Sequence, residues 1–225
     1  MPDFQKLIHW PSEQGEWFDR GQTLSATPGH NGWAIEDTST SGTPTYVTQD
    51  GGGAVLTLAS TSEAEIVTLN QADKLIFDID ELQYLQFFAK VSGVDSVTTI
   101  VMGLCTAQHD TPDSATNNCW FRMEGSASTS AVVVETDDGT TDNDDKATGV
   151  TLADTLKKFH IDFTRGKSDI RFFIDDARVA ASTTFSMAAT TGKLQPLFTV
   201  QKASGTGTPA ITVMGVKAAL SRSLA

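Results

Sequence analysis

Cysteine is nearly absent from this 225-residue chain, which has only Cys105 and Cys119. Neither belongs to a CxxC pair and no paired histidines accompany them, which argues against a zinc site. They flank a polar loop, Thr106 to Asn118. Cys119 alternates with Phe121 and Met123, which turns it inward. Two buried free thiols are expected, with a disulfide closing the hairpin as the alternative. Basic residues are also scarce: 16 against 28 acidic, a net charge of −12. A field of that sign repels nucleic-acid phosphates and anionic membranes, so neither is expected as a partner. It suits a well-solvated surface or a basic partner. No apolar run reaches the length of a membrane span. The opening Met1-Pro2-Asp3-Phe4-Gln5-Lys6 has no basic segment leading into an apolar stretch, so no secretory signal is expected. The chain is expected to stay in the cytosol or to leave by another route, such as inside an assembled particle.

Catalytic signatures are lacking as well. The histidines His9, His30, His109 and His160 form neither a HExxH pattern nor an i, i+4 pair. No serine sits in a GxSxG elbow and no GxxxxGK[ST] phosphate loop occurs. The run Gly51-Gly52-Gly53 precedes a strand, not a helix, and reads as a turn. Phe77-Asp78-Ile79-Asp80-Glu81 is similar to the carboxylate strand of jelly-roll glucanases. The leading glutamate of that pattern is missing, though, and Glu81 falls on the opposite face from Asp78 and Asp80, so the acid–base pair is incomplete. The acidic cluster Asp137 to Asp145 offers hard oxygen ligands of the kind calcium takes. Its spacing does not match an EF-hand loop, and a solvated hairpin tip is expected. No cofactor or metal is expected, and the chain does not read as an enzyme.

What the sequence does contain is strand periodicity. Hydrophobic residues make up 39% of the chain and charged residues 20%, enough apolar material for a sizeable core. Residues 1–30 stand apart, because Pro2, Pro11, Gly15, Gly21, Pro28 and Gly29 interrupt every period. Yet Phe4, Trp10, Trp17 and Phe18 are dense there. An extended N-terminal arm that packs on something is expected, on its own domain or on a neighbouring subunit, with these four aromatics as candidate partner-binding residues. Residues 31–225 read as one domain.

From Trp33 onward, short alternating runs follow one another: 54–59, 65–69, 82–91, 97–105, 118–124, 131–135, 158–164, 170–174, 178–180, 196–202 and 210–220. Val97 to Cys105 is apolar on both faces, as a central strand would be. In Asn118 to Glu124, Cys119, Phe121 and Met123 face in, while Trp120, Arg122 and Glu124 face out. Trp120 beside Arg122 is therefore a second candidate surface, for a sugar ring or a protein partner, or for packing under the arm. Phe159, Ile161 and Phe163 face the core, with His160 outside. Leu152 to Lys157 is the one stretch that could make a helical turn. Many short strands with close turn signals predict an all-β, two-sheet antiparallel sandwich.

The segment Leu156-Lys157-Lys158-Phe159-His160-Ile161-Asp162-Phe163, followed by Ile170 to Val179, resembles concanavalin A-like and laminin G-like jelly rolls, in which an aromatic-centred strand leads to a strand ending in an Asp-Gly hairpin. Asp176 stands here for the usual glycine. More loosely, Gly51 to Leu58, Val101 to Cys105, Asn118 to Phe121 and Leu197 to Lys202 resemble virion structural proteins of tailed bacteriophages. That resemblance implies a capsid decoration or cement protein on the virion surface, assembled in the host cytoplasm, with the major capsid protein and copies of itself (dimer or trimer) as partners. A carbohydrate-binding module or lectin-like domain, as in a tail appendage, is the alternative.

Overall fold

The computed structural model describes residues 6–8, 24–28, 32–49 and 53–221, without the side chains of 6–8 and of Gln49. Among the described residues there are sixteen strands: β1 (Lys6–Ile8), β2 (Ala34–Asp37), β3 (Thr45–Gln49), β4 (Gly53–Thr57), β5 (Glu65–Asn70), β6 (Phe77–Asp78), β7 (Leu82–Ser92), β8 (Thr98–Cys105), β9 (Asn118–Glu124), β10 (Ala131–Asp137), β11 (Asp142–Thr151), β12 (Lys157–Asp162), β13 (Arg171–Ile174), β14 (Ala177–Val179), β15 (Lys193–Lys202) and β16 (Ala210–Leu220). They form two antiparallel sheets. The first runs β14-β13-β12-β7-β16-β4-β3, with β1 also on β16. The second runs β11-β10-β9-β8-β15-β5-β2, with β6 also on β15. The two sheets make a jelly-roll sandwich. The described helix is one 3-10 turn at Pro112–Ser114.

Period-two alternation builds the core. Phe87, Phe159 and Phe172 of the first sheet and Phe121 and Phe198 of the second are fully buried. Phe121 sits edge-on to Phe159 at 4.9 Å and to Phe172 at 5.2 Å, and Phe87 sits edge-on to Phe198 at 5.0 Å. These offset geometries are the ones ring quadrupoles favour. β8 is buried at all eight positions, as its two-sided apolar pattern predicts. Near the end of β16 the register slips between Met214 and Lys217. Gly215 takes φ +57° at this bulge, and Val216 is turned into the core.

Several local expectations meet a physical answer here. Cys105 and Cys119 are free and buried. Cys119 pairs across the strands with Leu104, not Cys105, so the thiols lie on opposite faces of the sheet and no disulfide can close. Asp175 and Asp176 form the two-residue turn between β13 and β14, with φ +49° and +65°. Aspartate serves where glycine is usual because both carboxylates find donors. Asp175 accepts from the Lys158 amide at 2.9 Å and the Lys157 ammonium at 2.9 Å, and Asp176 pairs with the Lys158 ammonium. Leu152 to Lys157 makes no helical turn. Leu152 is buried in the core, and the chain crosses from one sheet to the other there. The acidic cluster is only partly a hairpin tip. The tip is residues 138–141, and Asp142 to Asp145 begin the ten-residue edge strand β11. Within the expected arm, Lys6–Ile8 pairs with Leu220–Ala218 of the same chain, and Leu24 enters the core. Phe4, Trp10, Trp17 and Phe18 lie outside the described residues.

Candidate functional site

The second sheet turns a polar face outward. Along its middle row Thr68, Thr199, Val101, Arg122 and Val133 are register neighbours, and above it Ile66, Gln201, Thr99 and Glu124 are. The segment from Thr106 to Asn117 leaves β8 and crosses this face as a strap before entering β9. Its crossing is tied down at three points. Asp110 accepts from the Thr38 hydroxyl at 2.7 Å, Asp113 pairs with Arg122, and Asn117 accepts from the Thr190 hydroxyl at 2.7 Å. Under the strap Ala115 packs with Val101, Cys105, Trp120 and Leu197 in a small apolar cluster of its own. Gly103 lies opposite Trp120, and a Cβ there would fall 2.6 Å from the Trp120 Cα. Only glycine permits this close approach of β8 to the Cys119 carbonyl and the Trp120 Cα and Cβ.

Trp120 and Arg122 therefore occupy the outward face as expected but are not an exposed surface. They are 2% and 6% accessible, with Ala115 and Asp113 of the strap against them. Arg122 is the hub of this buried polar zone. Its guanidinium also meets Glu124 at 3.0 Å and Glu135 at 3.3 Å. Burial works against the cation, but the hydrogen bond and charge of Asp113, with Glu135 and Glu124, outweigh it and raise Arg122 above the ordinary arginine range. Burial pushes the Glu135 carboxyl up to about 7. The neighbouring Trp120 indole and Arg122 oppose that rise, and Asp144 and Asp113 reinforce it. The Trp120 Nε1 lies near enough to favour the ionised carboxylate yet reaches no acceptor in full hydrogen-bond geometry. This network gives Asp113, Glu124 and Glu135 a common cation, with Asp145 at 4.0 Å from it. Among the described residues no group of three or more His, Cys, Asp or Glu side chains is arranged to hold one.

Beyond the strap the outer face opens into a groove of about 370 Å³. Thr99, Gln201 and Ile66 form its floor, Ser96 and Ser126 stand on one side, and Asp110 comes from the strap. Glu124 accepts from Thr99 at 3.1 Å, Ser126 at 3.1 Å and Arg122 at 3.0 Å. The Gln201 Oε1 is buried and has no hydrogen-bond partner. Lys202 also borders the groove, but its side chain is wholly buried. Its Nζ donates to the carbonyls of Ala59, Thr61 (2.8 Å) and Gly207 (3.0 Å), with Glu65 3.9 Å away. The wall at Ser96 and Val97 is an Asp95-capped turn, in which Asp95 Oδ1 accepts from the Val97 amide at 3.1 Å and the Thr98 hydroxyl at 2.7 Å.

Other candidates disperse. Asp78 accepts from the Asp80 amide at 3.1 Å within a tight turn, and Asp80 pairs with Lys167 at 2.9 Å, so the two carboxylates do not line one cleft. His160 is half-buried on the outer face of the first sheet, stacked on Tyr84 at 5.3 Å. Sequence reasoning missed the groove. Its residues come from β5, β8, β9, β15 and the strap, and no local pattern joins them.

No family model matches the chain, and no curated protein matches it. Its likenesses are to solved structures. The carbohydrate recognition domain of Emp47p superposes with a TM-score of 0.54 at 9% identity, over 89% of this chain and 95% of that one. A structure described with endo-acting O-glycanases of the human gut microbiota that initiate mucin breakdown gives 0.60 at 8% identity, over 91% and 97%. Alginate lyase A1-II′ of polysaccharide lyase family 7 gives 0.50 at 10%, over 79% and 84%. At these identities the likeness is one of fold: a concanavalin A-like jelly roll.

Proposed function

We propose that this chain is a carbohydrate-binding, lectin-like domain without catalytic activity, and that the groove on the outer face of the second sheet is its site. The observation that carries the reading is the groove's lining. It holds hydroxyls from Ser96, Thr99 and Ser126, the Gln201 side chain, the Glu124 carboxylate at the end of β9 and the Asp110 carboxylate on the strap. Saccharides are recognised by such clusters of short polar groups held rigidly. Neighbours such as the Emp47p domain carry carbohydrate recognition on the same scaffold, which adds support at the level of fold only. Catalysis is not proposed, because Glu124 is held by three donors and Asp110 by two, leaving neither placed as a free acid or base. The test is a glycan microarray probed with the full chain and with Ser126→Trp, which fills the groove from its exposed rim. Binding to at least one glycan class, lost in the variant, is expected. Silence across the array contradicts the reading.

The capsid decoration reading draws on a different surface. On the outer face of the first sheet Phe88 is 37% and Val47 51% accessible, and Met214 lies beside Phe88 in register. Exposed apolar side chains on one face suit a protein partner. A glycan groove on one face and a protein contact on the other are compatible in one chain, as in a virion-borne binding module.

A further inference from the structure

The groove's charge distribution narrows its ligand class, an inference that rests on the glycan reading of the same site. Asp110 and Glu124 bring two carboxylates to the groove. Hydrogen bonds from the Gln108 amide and the Thr38 hydroxyl hold Asp110 below the usual carboxylate range, so it is anionic at neutral pH. The lysine and the arginine at the groove are already engaged, and the His109 imidazole beside Asp110 is not part of its lining. All three protons of the Lys202 ammonium are taken by main-chain carbonyls, and its side chain is fully buried. The Arg122 guanidinium reaches Glu124 from beneath but is held under the strap by Asp113 and Glu135. Among the described residues, then, the groove presents acceptors and negative charge to a ligand and no accessible ammonium or guanidinium.

We infer that the groove selects neutral or amine-bearing saccharides and rejects uronates and sulfated sugars. A sugar hydroxyl or ammonium donates to the carboxylates. A carboxylate or sulfate only accepts, so it offers them no proton and sets like charge against Asp110 and Glu124. Juxtaposed like charge is how a site discriminates against a wrong partner of the right shape.

Isothermal titration of the full chain at low ionic strength tests this. The probes are matched oligosaccharides of hexose, hexosamine and hexuronate in gluco, galacto and manno configurations. The expected result is a neutral or amino member bound at least about tenfold tighter than its uronate counterpart. Asp110→Asn, which keeps the acceptor for Thr38 and Gln108, narrows that ratio severalfold, and so does added salt. Uronates binding as well as their neutral counterparts, or a ratio that Asp110→Asn does not change, overturns the charge selection while leaving the glycan reading in place. If none of the oligosaccharides binds, the glycan reading itself falls and the selection falls with it.

Discussion

Arg122 stands among carboxylates that would otherwise face one another beneath the strap. Removing it leaves Glu135 buried beside Asp113 and Glu124 with no cation, so Arg122→Ala should cost about 3–5 kcal/mol in chemical denaturation. Glu135 gives a pH signature. Its carboxyl is raised from 4.5 to about 7 on folding, so the native state keeps a proton that the unfolded chain has released. Its contribution is fully present below about pH 4.5 and is lost as pH rises through about 7. The stability of the parent relative to Glu135→Gln should therefore fall across that window, by roughly 1–3 kcal/mol. A flat difference contradicts the assignment. Asp110 and Asp138 run the other way, since their lowered values favour folding above the ordinary aspartate range and lose that contribution as pH falls. Burial raises the Cys105 thiol to about 11 and the Cys119 thiol well above its usual value. Both should resist a thiol reagent in the native protein and react in denaturant. The outward alternation of Trp120 and Arg122 was legible in the sequence. Their burial was not, because it depends on a strap whose cover is set by the distant partners Thr38 and Thr190.

At the scale of strands, the central elements were the most legible. β9, running Asn118–Glu124, and β16, running Ala210–Leu220, have the same ends in the structure as their alternation predicts. Both are central, with inward faces fixed by the core. Phe121, in contact with three rings of the other sheet, should lose about 3–5 kcal/mol on Phe121→Ala. β11 was not legible as a strand. Asp142, Asn143, Asp144 and Asp145 have poor strand propensity, and it is pairing with β10 that makes them a strand. An acidic strand at a sheet edge is also what keeps that edge from pairing with other chains. The groove escaped the sequence for a related reason: its floor is one row across the three strands β5, β15 and β8, and strand-by-strand reading sees only one residue of it at a time.

The whole molecule presents two contrasting faces, a polar one on the second sheet and a partly apolar one on the first. Among the described residues the arm joins the body through β1 on β16, through Leu24 in the core and through the Ser25 carbonyl, which accepts from the Ile35 amide; of these only β1 lies within residues 1–20. Deleting residues 1–20 should therefore leave the sandwich folded, with a modest loss in melting temperature. If Phe4, Trp10, Trp17 and Phe18 serve a neighbouring subunit, the truncated chain loses self-association or particle binding at the same time. Unfolding on truncation contradicts both statements. The central claim is that the groove between the strap and the Asp95 turn is the binding site. The most direct test is an NMR titration of the isotopically labelled chain with a glycan identified by the microarray. Amide and side-chain shifts should change at Thr99, Ser126, Gln201 and Asp110 and stay fixed at Val47, Tyr84, Phe88 and Met214. Changes confined to the latter set, on the outer face of the first sheet, would contradict the account.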